Sequence, residues 1–308
     1  MSTSPGKDII QDIAIELGVD PSFVEKDWYA VKAIARIATI EAPGIKPIFS
    51  GGTSLSKGYG LIRRFSEDLD FKIISETDPT RDQCRIYRDQ VITAIDEVDD
   101  FTVDKNNLIK GDKSRFFGFN VAYPQNFLPG SALRPMLKLE MRFQKVALET
   151  EQHNIASFVT QFTKQPAETA IDCVSPVETA ADKISALLWR IDAKDRTKPV
   201  GNPQNDPTTM RHLHDLCALQ SLDLGDPRLV ETVKKAFNLD QGRGGSSRDA
   251  SVSDMARQVL HKLESDPEYE KEYRDFVDAM SYAPDAEKID FRTALDAFRE
   301  YVELITYK

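Results

Sequence analysis

GGTSLSKGYGLIRRFSEDLDF, residues 51–71, sets three basic residues and three acids into one short span between apolar segments. The residues just before it, Lys46-Pro47-Ile48-Phe49-Ser50, read as an extended segment, so the order is strand, glycine turn, helix. A helix N-terminus carries unpaired backbone N–H groups and a partial positive charge. Gly51, Gly52, Thr53 and Ser54 therefore have the chemistry of a phosphate seat, with Thr53 or Ser54 capping a helix over SLSKGYGLIRR. After that helix, DLDFKII at 68–74 alternates, with Leu69, Phe71 and Ile73 on one face and Asp68, Asp70 and Lys72 on the other. Two acids one residue apart on a strand stand side by side. They could share a divalent cation that also bridges triphosphate oxygens. A glycine pair alone is ordinary turn chemistry and a D-x-D alone is often a solvated face; their order and spacing together carry the reading. Neither a Walker loop nor a dinucleotide-binding fingerprint is present.

Outward from this stretch, Asp20-Pro21 places an N-cap acid before a proline at the first helical position, opening an amphipathic helix that Pro43-Gly44 ends. Residues 80–98 read as a helix, and 101–105, 115–123 and LRPMLKLEMRF at 133–143 as strands. In the last of these Leu137, Leu139, Met141 and Phe143 share one face. Glu140 lies on the other, between Lys138 and Arg142, as either a solvated residue or a third carboxylate for the same metal or a general base. Up to about residue 165 the chain is mixed; beyond it the pattern is almost purely helical, starting with a capping box at Ser175-Pro176-Val177-Glu178. The fold class expected is α+β, a mixed sheet with flanking helices followed by a helical C-terminal lobe.

At 308 residues the chain exceeds a typical domain of ~100–200 residues, which suits two lobes. No apolar run approaches the ~20 residues that cross a bilayer. The N-terminus has no secretory pattern, and Cys84, Cys173 and Cys217 are odd in number and widely spaced, so a soluble, cytoplasmic protein is expected. A net charge of −10 argues against a sequence-indifferent nucleic-acid coat. Any phosphate attraction must come from a local patch such as Lys57, Arg63 and Arg64. His212 and His214, two apart on a helix, point in different directions and do not read as a metal pair.

FSGGTSLSKGYGLIRRFSEDLDF, the preceding VEKDWYAVKAI and the later ADKISALLWR and RHLHDL resemble, in the same order, the AbiEii/AbiGii toxin family of the polymerase-beta type nucleotidyltransferase superfamily. The resemblance covers roughly residues 20–220. It implies a nucleotidyltransferase-like lobe with N-terminal helices at 1–165 and a helical lobe at 166–308 that completes the active-site cleft. It also implies a phage-defence toxin paired with a cognate antitoxin, using Mg²⁺ or Mn²⁺ to transfer NMP from NTP to an acceptor hydroxyl, with the tRNA 3′ end as the leading acceptor. Position by position, Gly52, Thr53 and Ser54 look like the family's phosphate-binding element, and Asp68 and Asp70 like its metal-binding acids. Lys183 looks like the basic residue of its third motif and Asp215 like the acid of its fourth. The family's fourth motif usually has Arg-Asp-x-x-Asp, whereas Arg211 is followed here by His212, so the first acid is missing. The residues alone allow plainer roles: a snorkelling Lys183, and an i,i+4 surface pair of Arg211 and Asp215. Ser66, two residues before Asp68, is a candidate regulatory position, since a phosphate there would add about −1.5 to −2 charges beside the acids. Two alternatives stay open: modification of a small molecule such as an aminoglycoside, or a nucleotide-binding regulator without transfer.

Overall fold

The computed structural model describes residues 4–130 and 133–307. The chain divides into two units, Met1–Val174 and Ser175–Lys308. In the first, α1 (Lys7–Leu17) and α2 (Pro21–Ala38) precede β1 (Ile45–Ser50), α3 (Gly51–Lys57), β2 (Asp68–Ser75) and α4 (Arg81–Asp96). There follow β3 (Thr102–Val103), β4 (Ile109–Gly111), β5 (Phe116–Ala122), β6 (Leu137–Phe143), β7 (Glu151–Ile155), α5 (Phe158–Phe162) and β8 (Thr169–Cys173). The strands make one mixed sheet in the order β3-β5-β6-β2-β1-β8-β7, with β4 paired to β5. β2 runs antiparallel to β1 and parallel to β6.

Local chemistry sets the helix starts. Asp20 accepts the Ser22 amide at 2.9 Å ahead of Pro21, and Thr80 with Gln83 closes a capping box on α4. The strand patterns set the faces. On β6 Leu137, Leu139, Met141 and Phe143 are buried while Lys138, Glu140 and Arg142 are not, and on β2 Leu69, Phe71 and Ile73 join the same core with residues of α2 and α4. A one-residue slip in either strand would exchange core for charge, which fixes the register.

Four features differ from the sequence reading. The turn from β1 enters the helix directly, with Ser50 rather than Thr53 or Ser54 at the N-cap. Helix α3 ends at Lys57 instead of running on to Arg64, because Gly58 follows and Gly60 takes φ +66°, a left-handed conformation that ends a helix. Ser175 caps the helix Pro176–Asp192 without a side-chain bond among the described residues, so the expected capping box is not formed. The chain after residue 165 is also not all helical: β8 pairs parallel with β1 and antiparallel with β7, so the first unit runs on to Val174.

Inside α2 three consecutive charged residues, Glu25, Lys26 and Asp27, are all buried. Successive helix positions lie about 100° apart, so the three side chains leave in three directions. Glu25 accepts the backbone amides of Asn126 and Phe127 at 3.0 and 3.1 Å. Lys26 donates to Glu67 at 2.6 Å and to the Arg134 carbonyl at 2.9 Å. Asp27 accepts the Phe158 amide at 2.7 Å and pairs with Lys57, whose ammonium lies 3.6 Å from the Phe158 ring centroid. Burial pushes the Asp27 carboxyl up and the Lys26 amine down, while Lys57 and Glu67 respectively pull them back.

The second unit holds α6 (Pro176–Asp192), α7 (Arg211–Asp223), α8 (Leu229–Asp240), α9 (Val252–Ser265), α10 (Glu268–Met280) and α11 (Phe291–Tyr307). Helix α6 packs on α7, α8 and α9, and α11 packs on α7 and α9. No helix among the described residues is long and apolar enough to cross a membrane. At the end of α7 the Asp223 carboxyl is fully buried, with neither oxygen hydrogen-bonded among the described residues, and the Tyr301 hydroxyl donates to the Leu216 carbonyl at 3.1 Å. Burial, helped by Asp226, pushes its pKa up to about 7.

From about pH 4 to pH 7 the unfolded Asp223 ionises while the folded one stays protonated, so stability falls through that window by at most about 4 kcal/mol. Above pH 7 the loss is complete. Asp223→Asn should therefore be the more stable protein at pH 8 and lose that advantage at pH 4, as read by urea unfolding at the two pH values. Either Lys57→Met or Asp27→Leu alone should cost roughly 3–5 kcal/mol by stranding a buried charge, whereas the double variant should recover most of the loss.

Candidate active site

Strand β2 is the centre of the site. Its register places Asp70 between Ser50 of β1 and Glu140 of β6, with Asp68 opposite Lys138 of β6. Asp68, Asp70 and Glu140 thus rise from one face of adjacent strands, opposite the apolar face that the core covers. Glu140 pairs with Lys138 at 2.5 Å. Its β5 neighbour is Gly118, where a Cβ would stand 3.5 Å from the Glu140 Cγ.

The turn lies against these acids. Gly51 has φ +74°, and any Cβ there would collide with the Asp70 carboxylate. At Gly52 a Cβ would stand 2.9 Å from Arg64 Nη2 and 3.0 Å from Ser66 Oγ. The structure therefore gathers Gly51, Gly52, Ser66 and Asp70 in one place. Arg64, read in the sequence as part of a phosphate-attracting patch with Lys57 and Arg63, is buried there and donates to the Phe65 carbonyl at 2.8 Å.

Of three side chains expected on phosphate, Thr53 and Lys57 have other partners and Ser54 is buried. Thr53 donates its hydroxyl to the Asp68 carbonyl at 2.6 Å, tying α3 to the first residue of β2. Ser54 is buried with its hydroxyl beside the Cys173 thiol, whose pKa burial pushes up to about 11. Lys57 is the buried partner of Asp27, and phosphate contact would require breaking that pair. A helix that starts at Gly51 turns the residues of its first turns toward β2 and the core.

Two residues absent from the sequence reading complete the surroundings. Arg134 donates from Nη2 to Asp68 Oδ1 at 2.8 Å and from Nε to Glu67 Oε2 at 3.3 Å, and its backbone amide donates to Glu67 Oε1 at 2.6 Å. Burial opposes its charge, but Asp68 and Glu67 outweigh burial and raise its pKa. Glu67 stands in the middle of Ser66-Glu67-Asp68, yet the alternation that singles out Asp68 and Asp70 passes over it. Arg134 lies in a loop without a motif, and only the folded chain brings it to Asp68.

Among the described residues no group of three carboxylate, imidazole or thiol side chains is placed to hold a metal by itself. Asp68 and Asp70 supply two adjacent carboxylates, which fits magnesium, an ion usually held by one or two carboxylates together with substrate phosphates and water.

In the helical unit Lys183 of α6 donates to Asp215 Oδ2 of α7 at 2.6 Å, with Lys183 6% and Asp215 0% exposed. Buried to this degree, the pair is not surface decoration. The other Asp215 oxygen lies 3.3 Å from His214 Nδ1. His212 is buried, with neither ring nitrogen hydrogen-bonded among the described residues. Its pKa is driven well below the usual histidine value by burial and then by Arg211, Lys183 and Arg190, so the imidazole is neutral.

No curated protein sequence matches the chain. Among solved structures, MenT4, a nucleotidyltransferase toxin from Mycobacterium tuberculosis H37Rv, is similar with a TM-score of 0.65 at 16% identity, over 99% of this chain and 90% of that one. The likeness shows a shared fold, a mixed sheet with flanking helices followed by C-terminal helices. Residues 33–302 match the family described as nucleotidyl transferase AbiEii toxin of a type IV toxin–antitoxin system. With most of its length so matched, the chain belongs to the AbiEii family of nucleotidyltransferase toxins, a family whose system implies an antitoxin partner.

Proposed function

We propose that this nucleotidyltransferase works with a divalent cation, Mg²⁺ or Mn²⁺, held by Asp68 and Asp70, and that it transfers NMP from NTP to the 3′ end of tRNA in the cytoplasm. The observation that carries the site is the convergence of the Gly51 turn on Asp70, with Glu140 beside it in register. Bound there, the cation would neutralise charge on the triphosphate. The chain's own part is positioning. The backbone N–H groups of Gly51 and Gly52 take phosphate oxygens, and Glu140 accepts the proton of the acceptor hydroxyl. The hydroxyl oxygen bonds to the α-phosphorus, the bond to the β-phosphate breaks, and pyrophosphate leaves. Lys57 stays in the scaffold. In the helical unit, Lys183 is the cation that we assign to the same reaction, and Asp215 orients it.

Ser66 is the regulatory position in this reading, because its hydroxyl faces the glycine turn. A phosphate on it would add negative charge where the nucleotide's phosphates must lie.

The test is incubation with each labelled nucleotide, Mg²⁺ and total tRNA. Label in tRNA is expected, lost by at least about 10³-fold in Asp68→Ala or Asp70→Asn at unchanged thermal stability. Full transfer by either variant would refute the metal assignment. Label in a small molecule instead would replace tRNA as the acceptor, and nucleotide binding without pyrophosphate release would favour a regulator. Ser66→Glu should lower transfer strongly and Ser66→Ala should not; wild-type activity in the glutamate variant would remove Ser66 from the scheme.

A further inference from the structure

The geometry points to Arg134 as a positioning residue that couples cation and nucleotide binding: its guanidinium competes with the cation for Asp68 and moves onto the triphosphate when Asp68 is taken. The inference rests on the proposed role of Asp68 and Asp70. It starts from the way Arg134 is held. Its backbone is fixed twice, by the amide bond to Glu67 at 2.6 Å and by Lys26 on its carbonyl at 2.9 Å. Its head group is held separately, at 2.8 Å to Asp68 and 3.3 Å to Glu67, on a side chain that is 39% exposed. The guanidinium can therefore leave Asp68 while the loop stays anchored.

Charge gives the direction of the exchange. A divalent ion at Asp68 would face a guanidinium on the same carboxylate, so cation and Arg134 oppose each other there. A triphosphate offers several acceptor oxygens and suits the planar fork of arginine better than a single carboxylate oxygen does. Arg134 thus weakens cation binding when no nucleotide is present and strengthens nucleotide binding. By linkage each ligand then favours the other.

The test uses the full chain and two probes: Mn²⁺ alone, followed by electron paramagnetic resonance, and metal-free inorganic tripolyphosphate, followed by calorimetry. Arg134→Gln should bind Mn²⁺ about tenfold tighter and tripolyphosphate about tenfold weaker, shifts of opposite sign that a merely structural role would not produce. Unchanged or weaker Mn²⁺ binding, or unchanged tripolyphosphate binding, would overturn the inference. Arg134→Lys keeps the backbone anchors and a charge, and should shift both affinities the same way by less; it carries the test if the glutamine variant does not fold. Asp70→Asn separates the two levels of argument. If wild-type Mn²⁺ binding is absent or indifferent to that change, the metal assignment falls and the coupling with it. If Asp70→Asn abolishes Mn²⁺ binding while Arg134→Gln leaves it alone, only the coupling fails.

Discussion

The first unit is organised around three buried charges in a row. Glu25, Lys26 and Asp27 each bind a different segment: the chain at 126–127, the Glu67 and Arg134 cluster, and Lys57 with the start of α5. Burying charge is expensive unless it is paired and hydrogen-bonded, so these contacts tolerate little error in where those segments lie. A loop displaced by one residue would strand a charge in the core. The pairs add little net stability over apolar replacements, but they discriminate strongly against misplaced loops. The candidate site residues inherit that discrimination, because Glu67 adjoins Asp68 in sequence and Lys57 closes the helix that starts at Gly51.

Gly51 is the second constraint, acting at closer range. The chain must leave β1 and enter α3 while passing the Asp70 carboxylate, with no room there for a Cβ. Positive φ and close approach are separate demands, and glycine meets both. Thr53 then ties the helix back to the Asp68 carbonyl. The acids thus stand on a strand bounded by paired neighbours on both sides, and the turn is locked to that strand. Catalysis by positioning needs such rigidity, since the nucleotide brings most of the chemistry with it.

Much of this was legible in the sequence where the signal was local. The alternation of 68–74 and 137–143 identifies β2 and β6, and with them the common face of Asp68, Asp70 and Glu140. The strands β7, EQHNI, and β8, TAIDC, are short and partly polar, with too few alternations to separate from loop. Partners distant in sequence are invisible to periodicity. Lys57 looks like a phosphate ligand until Asp27, thirty residues earlier, takes it, and Arg134 carries no motif. The register that brings Glu140 to Asp70 depends on a parallel pairing between strands about seventy residues apart, which no short pattern encodes.

The helical unit shows what the missing acid at position 212 does to local charge. Where the family pattern has an aspartate, this chain has an imidazole that burial and neighbouring cations keep neutral. The surroundings of Lys183, Arg190 and Arg211 are therefore one unit more positive than an acid at 212 would leave them. Asp215 remains as the carboxylate on Lys183, and a single well-placed acceptor at 2.6 Å is enough to orient an ammonium in a buried setting.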